Sequence, residues 1–161
     1  MNNHSVRPTD DEMESVVNTY ANMLFRLCFA MLGSNADAED AVSDTFIKYL
    51  TASPPFHDAA HQKAWLIKVA ANICKDMHRF RKRHDYINLD DLSEYCREES
   101  DSGILEQVMR LPVKYKAPLL LFYIEGYKTN EIADILSVTP AAVRKRLQYG
   151  RDLLKLEYGK I

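Results

Sequence analysis

The chain has 161 residues and a mass of 18.6 kDa, 47% of it hydrophobic and 27% charged, which is ordinary globular composition for one medium domain or two small ones and excludes collagen-like and disordered chains. The longest unbroken apolar run, Pro118 to Ile124, is far short of the roughly 20 residues that cross a bilayer, and the opening MNNHSVRPTDDE has no apolar signal core, so a cytosolic chain is expected. The formal net charge of −2 hides a segregation of signs: residues 1–60 are acidic, 61–84 strongly basic, 85–106 acidic again, and from 107 onward bases outnumber acids.

Apolar spacing is helical nearly throughout, and an all-α fold of two small lobes is expected. After a polar extension over 1–12, the spacing of Val16, Tyr20, Met23, Leu24, Leu27 and Met31 predicts a helix from about Asp11 to Leu32, with Gly33 as its left-handed terminator. A second helix is predicted after Asn35, carrying Ala38, Val42, Phe46 and Leu50 at four-residue spacing and stopping before Pro54-Pro55. Its acids Asp37, Asp40 and Asp44 recur on adjacent turns. No His, Lys or nucleophile matches that spacing, so a solvated surface or a docking face for a basic partner is expected rather than a catalytic carboxylate pair.

Phe56 to Ala60 reads as loop, and the third predicted helix, about His61 to Arg83, carries Trp65, Val69, Ile73, Met77 and Phe80 on one stripe. Another stripe holds Lys68, Asn72, Lys75, Arg79 and Lys82, with His61, Lys63 and Arg83 adding to the basic block. Aromatic rings beside cations suit unpaired bases, because stacking on a ring is worth about 1 to 3 kcal/mol per base. Amide groups can also read a base edge once it has left the duplex. Helical spacing places Trp65 in the core, which leaves Phe56, in the loop, as the ring expected to touch a base.

From His84 to Ser102 the sequence HDYINLDDLSEYCREESDS lacks periodicity and is acidic, and the domain boundary is placed there: a lobe over 13–83, a connector over 84–102 and a lobe over 103–161. Beyond it a short helix is predicted over Ile104 to Leu111, then one opened by Pro112 at its first position and running to about Glu125, with Pro118 expected to kink it and Gly126 to end it. Thr129 is expected to cap a short helix to Leu136. Ser137 to Thr139 form a turn, and Thr139-Pro140 supply cap and first residue of a last helix to about Glu157. Ile132, Ala133, Leu136, Val138, Val143 and Leu147 have the inward spacing of a helix-turn-helix. Arg144, Lys145, Gln148, Arg151 and Lys155 fall on the far side of the last helix, where they can face a groove of duplex DNA. Gly150 costs about 1 kcal/mol against alanine in a helix, which close packing would explain.

Cys28, Cys74 and Cys96 form an odd set without metal-ligand spacing and are expected to be reduced thiols. Cys74 and His78 would be half of a zinc site that nothing completes, so no cofactor or metal is expected. Two basic stripes suggest two places that meet nucleic acid; a stand-alone helix-turn-helix regulator is one reading, but it has no use for a cationic helix with aromatics in the lobe remote from the helix-turn-helix.

The stretch Ala38 to Phe46, then Ala64-Trp65-Leu66 with Ala70, Asn72, Asp76 and Arg79, then Leu111-Pro112 and Leu119-Leu120-Leu121, then Glu131-Ile132-Ala133 through Val143 to Leu147, resembles the extracytoplasmic-function (ECF) group of bacterial sigma factors. The resemblance spans about Tyr20 to Leu154. It implies that the first lobe docks on the clamp of core RNA polymerase through Asp40, Ser43, Asp44 and Phe46, and that it recognises and melts the −10 element. Phe56 and Asn72 would hold a flipped base, and His61, Lys63, Lys68, Lys75, Arg79, Lys82 and Arg83 would serve the same strand. It implies that the second lobe reads the −35 element through Thr139, Ala141, Ala142, Arg144, Lys145, Arg146, Gln148 and Arg151 and contacts the polymerase flap. The acidic connector would thread the RNA exit path, and an anti-sigma partner is expected. Ser137 stands where that group often has glycine, and Tyr149-Gly150 where Arg-Ala is usual.

Overall fold

A computed structural model describes residues 7–81 and 102–158. The described residues are all-α, without strands: α1 (Asp10–Leu32), α2 (Asn35–Ala52), α3 (Ala59–Arg81), α4 (Ser102–Met109), α5 (Val113–Leu119), a π-helical turn (Leu120–Ile124), α6 (Thr129–Leu136) and α7 (Pro140–Tyr158).

Local chemistry sets most boundaries. Thr9 Oγ1 accepts from Glu12 N at 3.2 Å while Thr9 N donates to the Glu12 carboxylate at 2.8 Å, a reciprocal cap that draws α1 back to Asp10 and into the expected polar extension. Gly33, at φ 73°, closes α1 by donating to Phe29 O at 2.8 Å. The Ser34 hydroxyl accepts from Asp37 N at 3.3 Å to start α2. Thr139 Oγ1 accepts from Ala142 N at 3.1 Å to start α7 at Pro140, as the sequence predicts.

Two expected starts are displaced. Pro112 is the N-cap of α5 and not its first helical residue; its carbonyl accepts from Tyr115 N at 2.9 Å and Lys116 N at 3.1 Å, a role that needs no N–H from the proline. The cap of α6 is Lys128, whose N–H reaches the Glu131 carboxylate at 3.4 Å, so Thr129 is already helical.

Pro118 sits inside α5, where it withholds the N–H that Lys114 O would accept. Two residues later the ladder widens into the π turn, with Glu125 N on Leu120 O at 3.1 Å, before Gly126 at φ 77° ends the segment.

α1, α2 and α3 pack on one another around Leu24, Phe29, Ala38, Ala41, Leu66, Ala70 and Ala71. The inward face of α3 is Leu66, Ile67, Ala70, Ala71 and Cys74, displaced from the predicted stripe: Trp65, Ile73 and Met77 are only half-buried, and the small pair Ala70-Ala71 lies at the core. α5 and α6 both pack on α7 around Leu119, Ile132, Val143 and Leu147.

The two sets of helices then pack on each other, α1 against α5 and α3 against α6. This accounts for a feature that periodicity does not predict. Every residue of α1 from Met23 to Met31 is buried, on all sides of the helix, because the second lobe covers the side that α2 and α3 leave open.

Candidate nucleic-acid interface

Phe56 and His61, both expected beside melted DNA, form one aromatic corner with Tyr49 and Trp65. Phe56 lies parallel to Tyr49, with ring centroids 6.1 Å apart and 3° between planes, and stands edge-on to Trp65 at 5.8 Å and to His61 at 5.2 Å. The Tyr49 hydroxyl accepts from Gln62 Nε2 at 3.1 Å, and His61 Nδ1 accepts from His57 N at 3.2 Å. Tyr49, Pro55, Phe56 and Gln62 line an open hollow with Asp11 and Ser15 of α1. Trp65 is half-buried and shared between core and corner, which sequence spacing assigned wholly to the core.

Along α3, Asn72 and Arg79 are exposed, while Lys63, Lys68 and Lys75 are half-buried. Lys82 and Arg83 lie outside the described residues, as does the connector up to residue 101. The three lysines do not point to open solvent. Lys63 Nζ is 3.1 Å from Glu125 Oε2 and 5.7 Å above the Tyr127 ring. Lys68 Nζ donates to Asp134 O and sits 3.8 Å from Asp134 Oδ1, and Lys75 Nζ donates to Ile135 O at 3.2 Å. Burial, reinforced by the neighbouring charges of Lys68 and Arg79, pulls the Lys75 ammonium below its usual range. Burial and then the charges of Glu125 and Glu131 push the Tyr127 hydroxyl up to about 12.

Glu125 is the centre of this contact. Its second oxygen, Oε1, accepts from Arg26 Nη2 at 3.2 Å, and the Arg26 and Glu125 side chains are only 6% and 8% exposed. A carboxylate held by a guanidinium and an ammonium away from water is a strong local contact, because losing one partner strands a charge. Glu125 and Asp134 were not among the sequence candidates. Their partners come from remote parts of the chain, and only the tertiary fold brings them together.

On the acidic helix α2, Asp40, Ser43 and Asp44 are exposed, and Ser43 borders a hollow with Asn22, Phe25 and Val42. Phe46 departs from its expected surface role. It is 8% exposed and belongs to the core, whereas its neighbour Ile47 is 58% exposed and presents the apolar surface of that region.

On α7, Ala141, Arg144, Lys145 and Gln148 are exposed as a reading face requires, and Ala142 is half-buried. The Thr139 hydroxyl is engaged as the helix cap. Arg151 Nη1 donates to Tyr123 Oη at 3.0 Å, and Lys145 Nζ lies 6.0 Å over the Tyr149 ring. Both tyrosines are half exposed, and residue spacing gave neither a role. Arg146 turns away from this face into a cleft between the lobes, which Lys75, His78 and Lys114 also line.

Among the described residues no group of three or more His, Cys, Asp or Glu could hold a metal ion, and no helix is long and apolar enough to cross a membrane. Cys74 and His78 border the same cleft, but His78 is exposed while Cys74 is buried against Cys28, and its hydrogen bond and burial push the Cys28 thiol well up. Cys96 lies outside the described residues.

Comparison with known proteins matches both halves. The family described as Sigma-70 region 2 matches residues 16–84, and Sigma-70, region 4 matches residues 103–154. The chain is 26% identical over 164 residues to the ECF RNA polymerase sigma factor SigW of Bacillus subtilis, covering 90% of this chain and 88% of that protein. It is 29% identical over 163 residues to the ECF RNA polymerase sigma factor SigE of Mycolicibacterium smegmatis, covering 92% of this chain and 61% of that protein. The sigma factor RpoE of Bartonella quintana, solved with the anti-sigma factor NepR, superposes with a TM-score of 0.67 at 17% identity, over 90% of this chain and 95% of that one.

Proposed function

We propose a mechanism from the premise that the chain belongs to the sigma-70 family, in its ECF group, as an alternative sigma factor that binds core RNA polymerase and directs promoter-specific initiation. It acts in the cytoplasm and contributes recognition without chemistry of its own. The lobe over 13–83 docks on the polymerase clamp through Asp40, Asp44 and the exposed side of α2, where Ile47 replaces Phe46 as the apolar contact. Its aromatic corner receives a base unstacked from the −10 element. The hollow beside Phe56 is open to solvent, and the half-buried Phe56 ring, backed by the buried Tyr49 ring, offers a π face to any base, while exposed Asn72 offers an amide to the base edge. The α3 lysines and Arg79 neutralise the phosphates of that strand.

The lobe over 103–161 reads the −35 element as duplex. Arg144, Lys145 and Gln148 lie on the exposed side of a helix-turn-helix second helix, and Tyr123 holds the Arg151 guanidinium in a fixed orientation toward that side. The connector over 84–102, with its excess of acid, follows the RNA exit path. An anti-sigma protein is expected to control the chain, as the neighbour solved with NepR illustrates for its own case.

The observation that carries this reading is the pairing, in one chain, of a helix-turn-helix with a cationic helix beside an aromatic corner in the other lobe. Run-off transcription from the upstream region of its own gene, with purified core polymerase, tests it. Core enzyme plus this chain should initiate at one defined position where core enzyme alone does not. Equal transcription with and without the chain refutes the reading.

A further inference from the structure

Arg146 leaves the reading face of α7 for a cleft of about 390 Å³, where it meets Lys75 and His78 of α3 and Lys114 of α5. Among the described residues no Asp or Glu lines this cleft. The hollow beside Phe56, by contrast, carries Asp11 and Glu12, and the one beside Ser43 carries Glu39. Lys75 and Arg146 are half-buried, so water screens their charges less than it screens those of a solvated side chain. Lys75 gives one of its three donors to Ile135 O, and the like charges of Lys68 and Arg79 add to the burial that pulls its ammonium down. Positive potential gathered in a cleft without matching acid selects an anion. The walls select what the anion carries. Val113, Ala117 and Pro118 of α5 line the cleft with Leu136 of α6 and with Met31, whose thioether adapts to irregular shapes. No Phe, Tyr or Trp lines it among the described residues, so a nucleobase finds no ring to stack on and an aliphatic body fits better. The volume is that of a small-ligand site.

We propose that this cleft binds a small, soluble aliphatic phosphate monoester, with the phosphate among Lys75, His78, Lys114 and Arg146 and the chain against α5 and Leu136. A phosphate monoester suits the set because it carries about two charges at neutral pH and three acceptor oxygens, where a carboxylate offers one charge and two oxygens. The half-buried cations are recessed among helices of both lobes, a position that a free molecule reaches and a headgroup in the plane of a bilayer does not.

Isothermal titration calorimetry of the full chain in a phosphate-free buffer tests this with propyl phosphate, hexyl phosphate and inorganic phosphate. Hexyl phosphate should bind at one site, about tenfold more tightly than propyl phosphate, because each methylene laid on the aliphatic wall leaves water. Inorganic phosphate should bind more weakly than either. His78→Gln combined with Lys114→Gln removes the two exposed cations and should weaken hexyl phosphate about tenfold, without lowering the thermal unfolding temperature of the ligand-free chain. Val113→Glu puts the missing acid into the cleft and suits the first turn of α5, and it should abolish binding. Affinity that does not rise with chain length, or that survives both variants, would place the anion on the exposed basic faces and overturn the site. Binding to phosphatidylcholine vesicles containing phosphatidic acid, with none to the soluble monoesters, would overturn it in favour of a membrane headgroup. Affinity that appears only after Asp90→Asn, Asp91→Asn and Glu94→Gln in the connector would assign the cleft to the chain's own acids and overturn it as well.

Discussion

Lys116 is fully buried on α5, its ammonium has no hydrogen-bond partner, and burial pulls its pKa down to about 8 from 10.5. The folded chain therefore binds this proton less tightly than the unfolded chain, and carrying the charge works against folding at neutral pH. With the ammonium titrating at about 8 when folded and 10.5 when unfolded, the penalty is about 3 kcal/mol at pH 7, about 2 kcal/mol at pH 9 and under about 1 kcal/mol at pH 10. Replacing the side chain by Met, which keeps its length and lacks the charge, removes the penalty. Lys116→Met should be more stable than wild type by about 3 kcal/mol at pH 7, and the gap should be flat below pH 8 and shrink between pH 8 and 10.5. Urea unfolding of both chains at pH 7, 8, 9 and 10 measures it, since other titrations cancel in the difference. A variant less stable at pH 7, or a gap that does not narrow above pH 8, would refute the reasoning.

Other substitutions isolate single features. A Cβ added at Gly150 would lie 2.7 Å from Leu119 Cδ1 and 3.2 Å from its Cγ, so Gly150→Ala should lose about 1–2 kcal/mol in thermal unfolding despite alanine's better helix propensity. Ser137 occupies the left-handed region at φ 56°, and Ser137→Gly should gain about 1 kcal/mol while leaving duplex binding unchanged in a mobility-shift assay. Phe56→Ala and Asn72→Ala should each slow promoter opening, read by permanganate footprinting, more than they weaken binding to core polymerase; equal loss of both would mean that the residues merely hold the fold.

The fold was legible where chemistry is local. Gly33 and Gly126 as terminators, Thr139-Pro140 as a start, and the inward set of the helix-turn-helix are each fixed by residues within a few positions of one another, and each is found as predicted. Gly150 is likewise packed tightly against Leu119, as its helical position suggested. What stayed hidden depends on contacts across the chain. Phe46 turns inward with Ala38, in line with its place on the apolar stripe, whereas the docking role for its side chain came from the resemblance alone. Lys63, Lys68 and Lys75 read as cations open to phosphate until the other lobe supplies acceptors for them, two carboxylates and two backbone carbonyls some sixty residues away in sequence. Trp65, Ile73 and Met77 fell on the predicted apolar stripe, but the core selected Leu66, Ile67 and Ala70 instead.

The π turn at Leu120–Ile124 sets the angular phase of everything that follows it. One extra residue per turn swings the next side chain by about 100° relative to an α-helix. Deleting a residue within 120–124 would therefore restore a regular spiral while rotating Glu125 away from Arg26 and Lys63, uncoupling the halves of the molecule without changing a single charge.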